Sequence, residues 1–371
     1  MRDDFLVFTP DDVDLARSPL RAGIDAETFV LGAFNPGLAR LPNGNLMMMV
    51  RVAEALRRPF DRGFAHAIRW TPDGYVLDRW PVDQVSFTDP RVFTLRDNPN
   101  KPFALTSLSW LLPVELSGDG ERVVDVHYDR IIAPGTAWQQ YGLEDPRLSL
   151  IGGRWYMTAC CVSSQRHCTG LWVSVDGRAF QPVGIVLDHQ NKDMVLFEGK
   201  PGGQFVALTR PLGSSWVATP PDDAHVAGPA IQLAGSPDAL HWRPFDRPGI
   251  RPRRDRPTGF RIGGGAQPVL TPEGWLVLYH GVQPDSYIGT YRTFWALLDR
   301  DDPAAILHQA DDAPLIESAP DLTAGIAHQR YLRSPVVFTT GIVDAGDHFL
   351  VASGEADLAC RLTRIAKSCF S

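Results

Sequence analysis

Short apolar runs alternate with tight glycine-containing turns along most of the chain. Five such turns each precede a run that is typical of a β-strand: Asn43-Gly44 before Leu46 to Val50, Gly152-Gly153 before Trp155 to Met157, Gly202-Gly203 before Phe205 to Leu208, Glu273-Gly274 before Trp275 to Tyr279, and Ala345-Gly346 before Phe349 to Ala352. Glycine supplies the positive φ angle that a two-residue hairpin turn requires. The pattern therefore predicts five antiparallel hairpins.

A second kind of turn falls between these hairpins and precedes an aromatic residue. The three instances are Thr71-Pro72-Asp73-Gly74 before Tyr75, Ser174-Val175-Asp176-Gly177 before Phe180, and Ser236-Pro237-Asp238 before Trp242. Repeats of four short strands can close into a ring without open sheet edges. We therefore predict an all-β fold, a five-bladed β-propeller, with blades at approximately 34–80, 145–185, 192–245, 262–310 and 335–366.

The stretch from about 84 to 140 does not follow this spacing. Leu105 to Leu116 and Arg122 to Tyr128 flank the turn Ser117-Gly118-Asp119-Gly120, which predicts an inserted hairpin. We expect residues 1–371 to form a single propeller domain with this insertion at 84–140. An insertion of that length beside a site is typical of a lid or of a contact between subunits, so a homo-oligomer is a further prediction.

Composition and charge narrow the classes of partner. The 371 residues include 33 glycines, 31 prolines and 10 tryptophans, more turn-forming residues than helical bundles carry. The net charge of −7 argues against nucleic acid, and the basic cluster at 251–256 is interpreted as a solvated loop. Residues 1–4 lack the layout of a secretory signal, and no apolar run approaches the ~18 residues of a membrane span. We expect a cytoplasmic protein without membrane partners.

The five cysteines give no sign of a disulfide framework or a metal site. They are Cys160, Cys161, Cys168, Cys360 and Cys369, an odd number without a Cys-x-x-Cys pair or a histidine at zinc spacing. We expect thiols and no bound metal.

Two adjacent carboxylates precede a proline and an arginine in the segment Glu144-Asp145-Pro146-Arg147. Neighbouring residues on a regular strand point to opposite faces, so we expect only one of Glu144 and Asp145 to reach a central cavity. A partly buried carboxyl group there can have a pKa high enough for a general acid in glycoside cleavage. A structural ion pair that caps the turn explains the same residues.

Further charged and polar candidates lie on two other predicted hairpins. The hairpin around Gly202-Gly203 carries Lys192, Asp193, Glu198 and Arg210, which suit sugar hydroxyls, although salt bridges across the hairpin explain them equally well. Tyr279 and His280 end a strand that follows Gly263-Gly264-Gly265. No Lys-Ser/Thr pair follows these glycines, which argues against a nucleotide site. His280 lines the cavity or is a packing residue.

Taken in order, these segments resemble glycoside hydrolase family 130 over roughly residues 30 to 360. The resemblance rests on Asn35-Pro36-Gly37, Arg51-Val52, Gly142 to Arg147, Trp155 to Thr158, Asn191-Lys192-Asp193, Leu196-Phe197, Arg210-Pro211, Gly263-Gly264-Gly265, Tyr279-His280-Gly281, Leu297-Leu298-Asp299 and Ala356-Asp357. Members of that family are five-bladed propellers that cleave β-mannosides with inversion, most by phosphorolysis and some by hydrolysis. The resemblance thus implies the fold that the turns predict.

The resemblance also implies roles for individual residues. Asp145 would be the general acid and would pass its proton through a sugar hydroxyl. The mannosyl unit or its leaving group would be surrounded by Asn35, Arg51, Arg147, Lys192 and Asp193. Tyr279 and His280 would lie near the cavity, and Arg210 is a further substrate-binding candidate.

Departures from the family pattern concern the phosphate position. Family phosphorylases hold phosphate with arginines after the Tyr-Met-Thr strand, with the lysine, and with a histidine just before Arg-Pro. Here Thr209 takes the histidine's position, and no Pro-Arg pair follows Thr158, which leaves Arg166 or His167 as substitutes. Loss of cationic donors weakens a phosphate site.

A new carboxylate, Glu198, lies near the same position. An inverting hydrolase needs a base about 6.5–9.5 Å from the acid, on the opposite face of the sugar. We therefore expect an inverting β-mannosidase-like hydrolase of manno-oligosaccharides, with Asp145 as acid, Glu198 as base and no cofactor. A one-residue slip within the turn would instead leave Glu198 in solvent. The alternative activity, with Arg166 or His167 as a substitute phosphate ligand, is that of a β-mannoside phosphorylase that consumes phosphate and releases mannose 1-phosphate. A propeller that only binds glycans and a furanoside-cleaving propeller are further alternatives.

Overall fold

The computed structural model describes residues 2–21, 23–99, 102–213, 220–332 and 334–370. Most of these residues form strands and turns, and the chain is all-β, as the glycine turns predict. The helical segments among them are short 3-10 turns, at Pro10–Asp12, Leu15–Arg17, Val82–Gln84, Tyr128–Arg130, Ala137–Gln139, Pro201–Gly203, Pro320–Gln329 and Lys367–Phe370. No helix in these ranges is long and apolar enough to cross a membrane.

Five antiparallel sheets follow one another along the chain. In order of pairing, sheet 1 is Thr28–Arg40, Leu46–Leu56, Ser107–Leu116 and Val123–Val126; sheet 2 is Leu143–Ile151, Arg154–Val162, His167–Ser174 and Gln181–Leu187; sheet 3 is Asn191–Leu196, Phe205–Pro211, Gln232–Ser236 and Arg243–Pro244. Sheet 4 is Arg261–Gly264, Gly274–Gln283, Thr290–Leu298 and Ile306–Ala310, with Val269–Thr271 also paired to Gly274–Gln283; sheet 5 is Val337–Asp344, His348–Glu355, Ala359–Ala366 and Arg2–Phe8.

All five predicted glycine turns join paired strands, one in each sheet. Asn43-Gly44, for example, connects the first two strands of sheet 1, and Gly44 has a φ of +87°. Only glycine adopts such an angle without steric cost, which is why the turns mark the hairpins so reliably in the sequence.

The outer half of sheet 1 differs from the prediction that residues 34–80 form a whole blade. The third and fourth strands are instead Ser107–Leu116 and Val123–Val126, the hairpin that we predicted as an insertion. Ser107–Leu116 is buried along almost its whole length, including the fully buried Trp110. A strand that is buried on both faces belongs in the interior of a sheet, which explains why it pairs with Leu46–Leu56.

Residues 57–106, here named the inserted segment, leave sheet 1 between its second and third strands. They form two small sheets, Phe60–Asp61, Phe64–Thr71 and Gly74–Pro81, and Val85–Ser86, Val92–Leu95 and Pro102–Leu105. The insertion therefore precedes the predicted hairpin in the chain.

The first strands of successive sheets contact one another and carry half of the predicted site residues, Asn35, Asp145, Arg147, Lys192 and Asp193. Thr28–Arg40 contacts both Leu143–Ile151 and Val337–Asp344, Leu143–Ile151 contacts Asn191–Leu196, and Asn191–Leu196 contacts Arg261–Gly264. The Gln267 amide nitrogen joins three sheets, because it donates hydrogen bonds to the carbonyls of Leu38, at 2.9 Å, and Ile342, at 2.7 Å. Residues that are far apart in sequence are thereby brought to one place.

Candidate active site

Three of these first strands carry a β-bulge with a polar residue in the left-handed region. Asn35, Asp145 and Asp193 have φ values of +49°, +51° and +58°, and the pairing register with the neighbouring strand shifts at each of them. Asn and Asp tolerate this conformation better than other side chains that bear a Cβ, and a bulge redirects the side chain at its position. The bulge also overturns one expectation, since both Glu144 and Asp145 face the same cavity.

The cavity has a volume of about 320 Å³ and lies where the sheets meet the inserted segment. Six of the predicted site residues line it, namely Asn35, Arg51, Asp145, Lys192, Asp193 and Arg210. The sequence therefore identifies the residues of one site, although they come from three different sheets.

Asp145 is buried and its Oδ1 atom is held from two sides. The Asn35 amide donates to it at 2.8 Å, and the Arg51 guanidinium donates to it at 2.9 Å. Its other oxygen, Oδ2, makes no hydrogen bond among the described residues, which leaves it available to a ligand in the cavity.

Glu144, the neighbour of Asp145 on the strand, is shared between two cations. Arg51 contacts its Oε1 at 2.9 Å, and the Lys192 ammonium contacts its Oε2 at 2.9 Å. Burial alone would raise the pKa of Glu144, but the charges of Arg51 and Lys192 hold it well below its ordinary value. Glu144 is therefore ionised at neutral pH, and it positions Arg51 and Lys192 beside Asp145.

Arg147 lies behind the cavity wall, although we predicted it as a substrate contact. Its guanidinium donates to the Asp193 carboxylate at 3.2 Å and to the carbonyl of Asp145 at 2.9 Å, with only 2% of its side chain exposed. Arg210 holds the other oxygen of Asp193 at 2.6 Å. Burial opposes ionisation of Asp193, but Arg210 and the neighbouring cations keep its pKa far below the ordinary value.

Neither Tyr279 nor His280 lines the cavity. Tyr279 is completely buried and stacks on Phe294 in the core. The His280 ring packs between Tyr291 and Phe338, which do line the cavity. Burial lowers the pKa of His280 to about 3, so it is a neutral packing residue at physiological pH.

Glu198 does not reach the cavity that holds Asp145. It follows the end of the strand Asn191–Leu196, whereas Lys192 and Asp193 lie at its start. Its carboxylate accepts a hydrogen bond from the Leu150 backbone at 3.3 Å, and burial raises its pKa to about 7. The expectation that Glu198 lies across the cavity from Asp145 is therefore not met, because four residues separate it from Asp193 along the chain, and its role as the base stays a prediction.

His167 and two cations form a group that can bind an anion. His167, Lys192 and Arg210 line the cavity, and the charge of Lys192 together with burial lowers the pKa of His167 to about 4. In the part of the chain that the structure describes, His167 Nδ1 and Arg210 Nε are buried without a hydrogen-bond partner. Unpartnered polar atoms of this kind are costly unless a ligand or water satisfies them.

Sequence reasoning missed the contributions of Asp357 and of the inserted segment. Asp357 lines the cavity with a φ of +50°, and burial raises its pKa to about 6. Asp89 and Arg91 line it from the inserted segment. The tripeptide Asp89-Pro90-Arg91 repeats Asp145-Pro146-Arg147, and that repetition is a signal in the sequence that could have identified it.

The described residues contain no group of three or more metal-ligating side chains. The absence of a metal from the reaction stays a prediction.

Comparisons with known proteins agree on one family. The profile of glycoside hydrolase family 130, described as β-1,4-mannooligosaccharide phosphorylase, matches residues 107–368. This range contains Glu144, Asp145, Lys192, Asp193 and Arg210.

Several mannoside phosphorylases resemble the chain over most of its length. A β-1,2-mannobiose phosphorylase of Listeria innocua is 29% identical over 363 residues, which cover 95% of this chain and 91% of the relative. A solved structure of the β-1,2-mannobiose phosphorylase from Listeria innocua with β-1,2-mannobiose superimposes with a TM-score of 0.80 at 27% identity, covering 99% of this chain and 97% of that one. A 1,2-β-oligomannan phosphorylase of a Thermoanaerobacter species is 29% identical over 61% of this chain and 69% of its own.

Proposed function

Because the chain belongs to glycoside hydrolase family 130, we propose that it is an inverting phosphorylase that transfers mannose from a β-1,2-linked mannobiose to phosphate. The observation that carries the proposal is that Asp145 shares one cavity with the His167, Lys192 and Arg210 group. An acid and an anion-binding group are the two parts that phosphorolysis requires. Similarity to a β-1,2-mannobiose phosphorylase along 95% of the chain supports this choice of linkage.

Asp145 is the general acid in this proposal. Its Oδ1 is fixed by Asn35 and Arg51, so its Oδ2 is the atom that delivers the proton. In family members the proton is thought to pass through a sugar hydroxyl to the leaving oxygen. The bond between the anomeric carbon and that oxygen breaks as a phosphate oxygen attacks the opposite face, so the β-mannoside yields α-mannose 1-phosphate and mannose.

Phosphate binds beside Lys192 and Arg210 in this proposal. A lysine ammonium and an arginine guanidinium are strong hydrogen-bond donors to phosphate oxygens. The unpartnered Nε of Arg210 is a further donor. The unpartnered Nδ1 of His167 donates or accepts, depending on the tautomer of the ring. His167 is one of the two substitutes that the sequence offered for the missing Pro-Arg pair. The other, Arg166, bonds the carbonyl of Asp188 and does not line the cavity.

Hydrolysis was our first expectation from the sequence, and phosphorolysis now replaces it as the main proposal. The expectation depended on Glu198 as the base, and Glu198 lies outside the cavity. Two observations still favour hydrolysis: Thr209 takes the position of the family's phosphate-binding histidine, and the Pro-Arg pair is missing, with Arg166 outside the cavity.

We also propose that the five sheets are the blades of a single propeller. The contacts between the first strands of successive sheets support this arrangement, and so does the contact of sheet 5 with both sheet 1 and sheet 4. The N-terminal strand Arg2–Phe8 would close the ring by completing the last blade. A cytoplasmic location and a homo-oligomer stay predictions.

Incubation with β-1,2- and β-1,4-linked mannobioses, with and without phosphate, tests the proposed activity. We expect release of mannose only when phosphate is present, faster with the β-1,2 linkage. Asp145→Asn removes the proton and leaves the shape of the site, so it should lower the rate by about 10²–10⁴-fold. Full activity of this variant would contradict the role of Asp145. Binding of mannobiose without turnover by the wild-type protein would instead support the glycan-binding alternative.

A further inference from the structure

The inserted segment forms a fixed wall of the active-site cavity. It contributes Asp89, Arg91, Val92, Pro102, Leu105 and Thr106 to the lining. The Tyr141 hydroxyl donates to the carbonyl of Phe103 at 3.2 Å, and the Trp70 backbone donates to the carbonyl of Gln140 at 2.8 Å. These bonds attach the inserted segment to the residues just before Glu144 and Asp145.

An apolar cluster beneath this wall strengthens the attachment. Phe93 and Ala104 of the inserted segment pack with Tyr141, Cys160 and Val162 of sheet 2 and its entry. Phe93 is completely buried, and burial of its ring favours the docked position of the wall. The wall thus packs against the elements that lead into the strand of Asp145.

Within the wall, Asp89 holds the Arg91 side chain in one orientation. Arg91 donates from Nε at 3.0 Å to Asp89 Oδ1 and from NH2 at 2.8 Å to Asp89 Oδ2. Thr106 fixes the backbone between them, donating from its hydroxyl to Pro90 and from its amide to Arg91. The remaining nitrogen, NH1, has no partner among the described residues, and 38% of the Arg91 side chain is exposed.

The charge around Arg91 suits a neutral ligand better than phosphate. Asp89 and Arg91 form a pair with no net charge, whereas Lys192 and Arg210 lie near His167, and His167 Nδ1 and Arg210 Nε have no hydrogen-bond partner among the described residues. Phosphate is expected at that second group. A rigid guanidinium with free N–H donors and a neighbouring carboxylate is well suited to sugar hydroxyls.

We propose that Arg91, oriented by Asp89, binds the leaving-group sugar and determines which β-mannosides the enzyme accepts. This inference rests on the proposed phosphorolysis, in which phosphate and the leaving group occupy opposite faces of the mannosyl unit. Phosphate takes the side of Lys192 and Arg210, so the leaving sugar takes the side that the inserted segment covers.

Kinetics in both directions test the assignment. Loss of a charge-assisted hydrogen bond in Arg91→Ala should raise the KM for β-1,2-mannobiose, and for mannose as acceptor in the reverse reaction, by about 10-fold or more. The KM values for phosphate and for α-mannose 1-phosphate should change by less than about 2-fold, since phosphate contacts lie elsewhere. Arg58→Ala, an exposed arginine of the same segment, is the matched control and should change none of them.

A rise confined to the KM for phosphate or mannose 1-phosphate would overturn the assignment, and so would unchanged constants in Arg91→Ala.

Calorimetric titration of β-1,2-mannobiose into Asp145→Asn, with and without Arg91→Ala, measures sugar binding independently of turnover. Weaker binding in the double variant supports the inference, and equal binding contradicts it. A wild-type enzyme that forms no mannose 1-phosphate would instead contradict the proposed function. Thermal unfolding of each variant separates a binding defect from misfolding. The Arg91→Lys variant keeps the positive charge but lacks the planar guanidinium with its paired N–H donors.

Discussion

The charged residues around Asp145 form two sets of ion pairs, which the hydrogen bond from Arg147 to the carbonyl of Asp145 joins into one network. Glu144 joins Arg51 to Lys192, Arg51 also holds Asp145, and Asp193 joins Arg147 to Arg210. Each buried charge has a partner of opposite sign, which is the condition under which burial of ions is tolerated. A single substitution in this network therefore changes the environment of several neighbours.

Lys192 is the residue whose substitution should affect phosphate most directly. Lys192→Ala removes a cation from the proposed phosphate position, so we expect the KM for phosphate to rise by about 10-fold or more. The KM for mannobiose should change less. Steady-state kinetics with each substrate varied in turn measure both constants. Lys200→Ala, an exposed lysine on the same hairpin, is the control, and an equal effect of the two substitutions would count against phosphate binding by Lys192.

Glu198 should make stability depend on pH. Burial raises its folded-state pKa to about 7, so the folded protein prefers the protonated carboxyl. Between the unfolded-state pKa near 4.5 and about 7, the folded state binds more protons than the unfolded state, and stability falls as pH rises. Glu198→Gln abolishes this titration and keeps an acceptor for Leu150.

Urea unfolding at pH 5 and pH 8 measures the effect of Glu198. Relative to wild type, Glu198→Gln should gain about 2 kcal/mol of stability at pH 8 compared with pH 5. Parallel stability curves for the two proteins would mean that Glu198 titrates normally. Activity should be retained, because Glu198 lies outside the cavity, and its loss would revive Glu198 as the base.

At the scale of elements, the β-bulges bring the site together. A regular strand would turn either Glu144 or Asp145 away, and the bulge at Asp145 lets both face the cavity. The same device recurs at Asn35 and Asp193. The apolar runs and turns predicted the strands but not the bulges. A bulge and a one-residue register shift change the alternation of polar and apolar residues in the same way, so the sequence alone does not distinguish them.

Gly142, just before this bulge, should tolerate no side chain. Its φ is +105°, and an added Cβ would lie 2.2 Å from the carbonyl oxygen of Ser109. We expect Gly142→Ala to lower the free energy of unfolding by about 3 kcal/mol and to reduce kcat by displacing Glu144 and Asp145. Chemical denaturation and kinetics measure the two effects.

Gly152 provides the matched control for that substitution. It also has a positive φ, +59°, but an added Cβ would meet nothing within 4 Å. Gly152→Ala should therefore cost only about 1 kcal/mol and leave kcat unchanged. Equal costs for the two alanines would show that the contact with Ser109 is unimportant.

At the scale of the whole molecule, the sequence predicted the sheets but not which segments complete them. Five glycine turns located the hairpins, and the family segments located Asp145, Asn35, Arg51, Lys192 and Asp193 in one cavity. The strand Arg2–Phe8 pairs with Ala359–Ala366 at the far end of the chain, and no local pattern can reveal such a partner. The inserted segment was misplaced for a similar reason, because Ser107–Leu116 finds its place in sheet 1 only through long-range burial.

The fate of phosphate during cleavage of β-1,2-mannobiose tests the central claim most directly. Proton and phosphorus NMR of the wild-type protein with β-1,2-mannobiose and phosphate follow both products in one sample. Phosphorolysis gives α-mannose 1-phosphate and mannose in equal amounts, with phosphate consumed in step and no cleavage when phosphate is omitted. Release of two mannose molecules per mannobiose at the same rate without phosphate would contradict it.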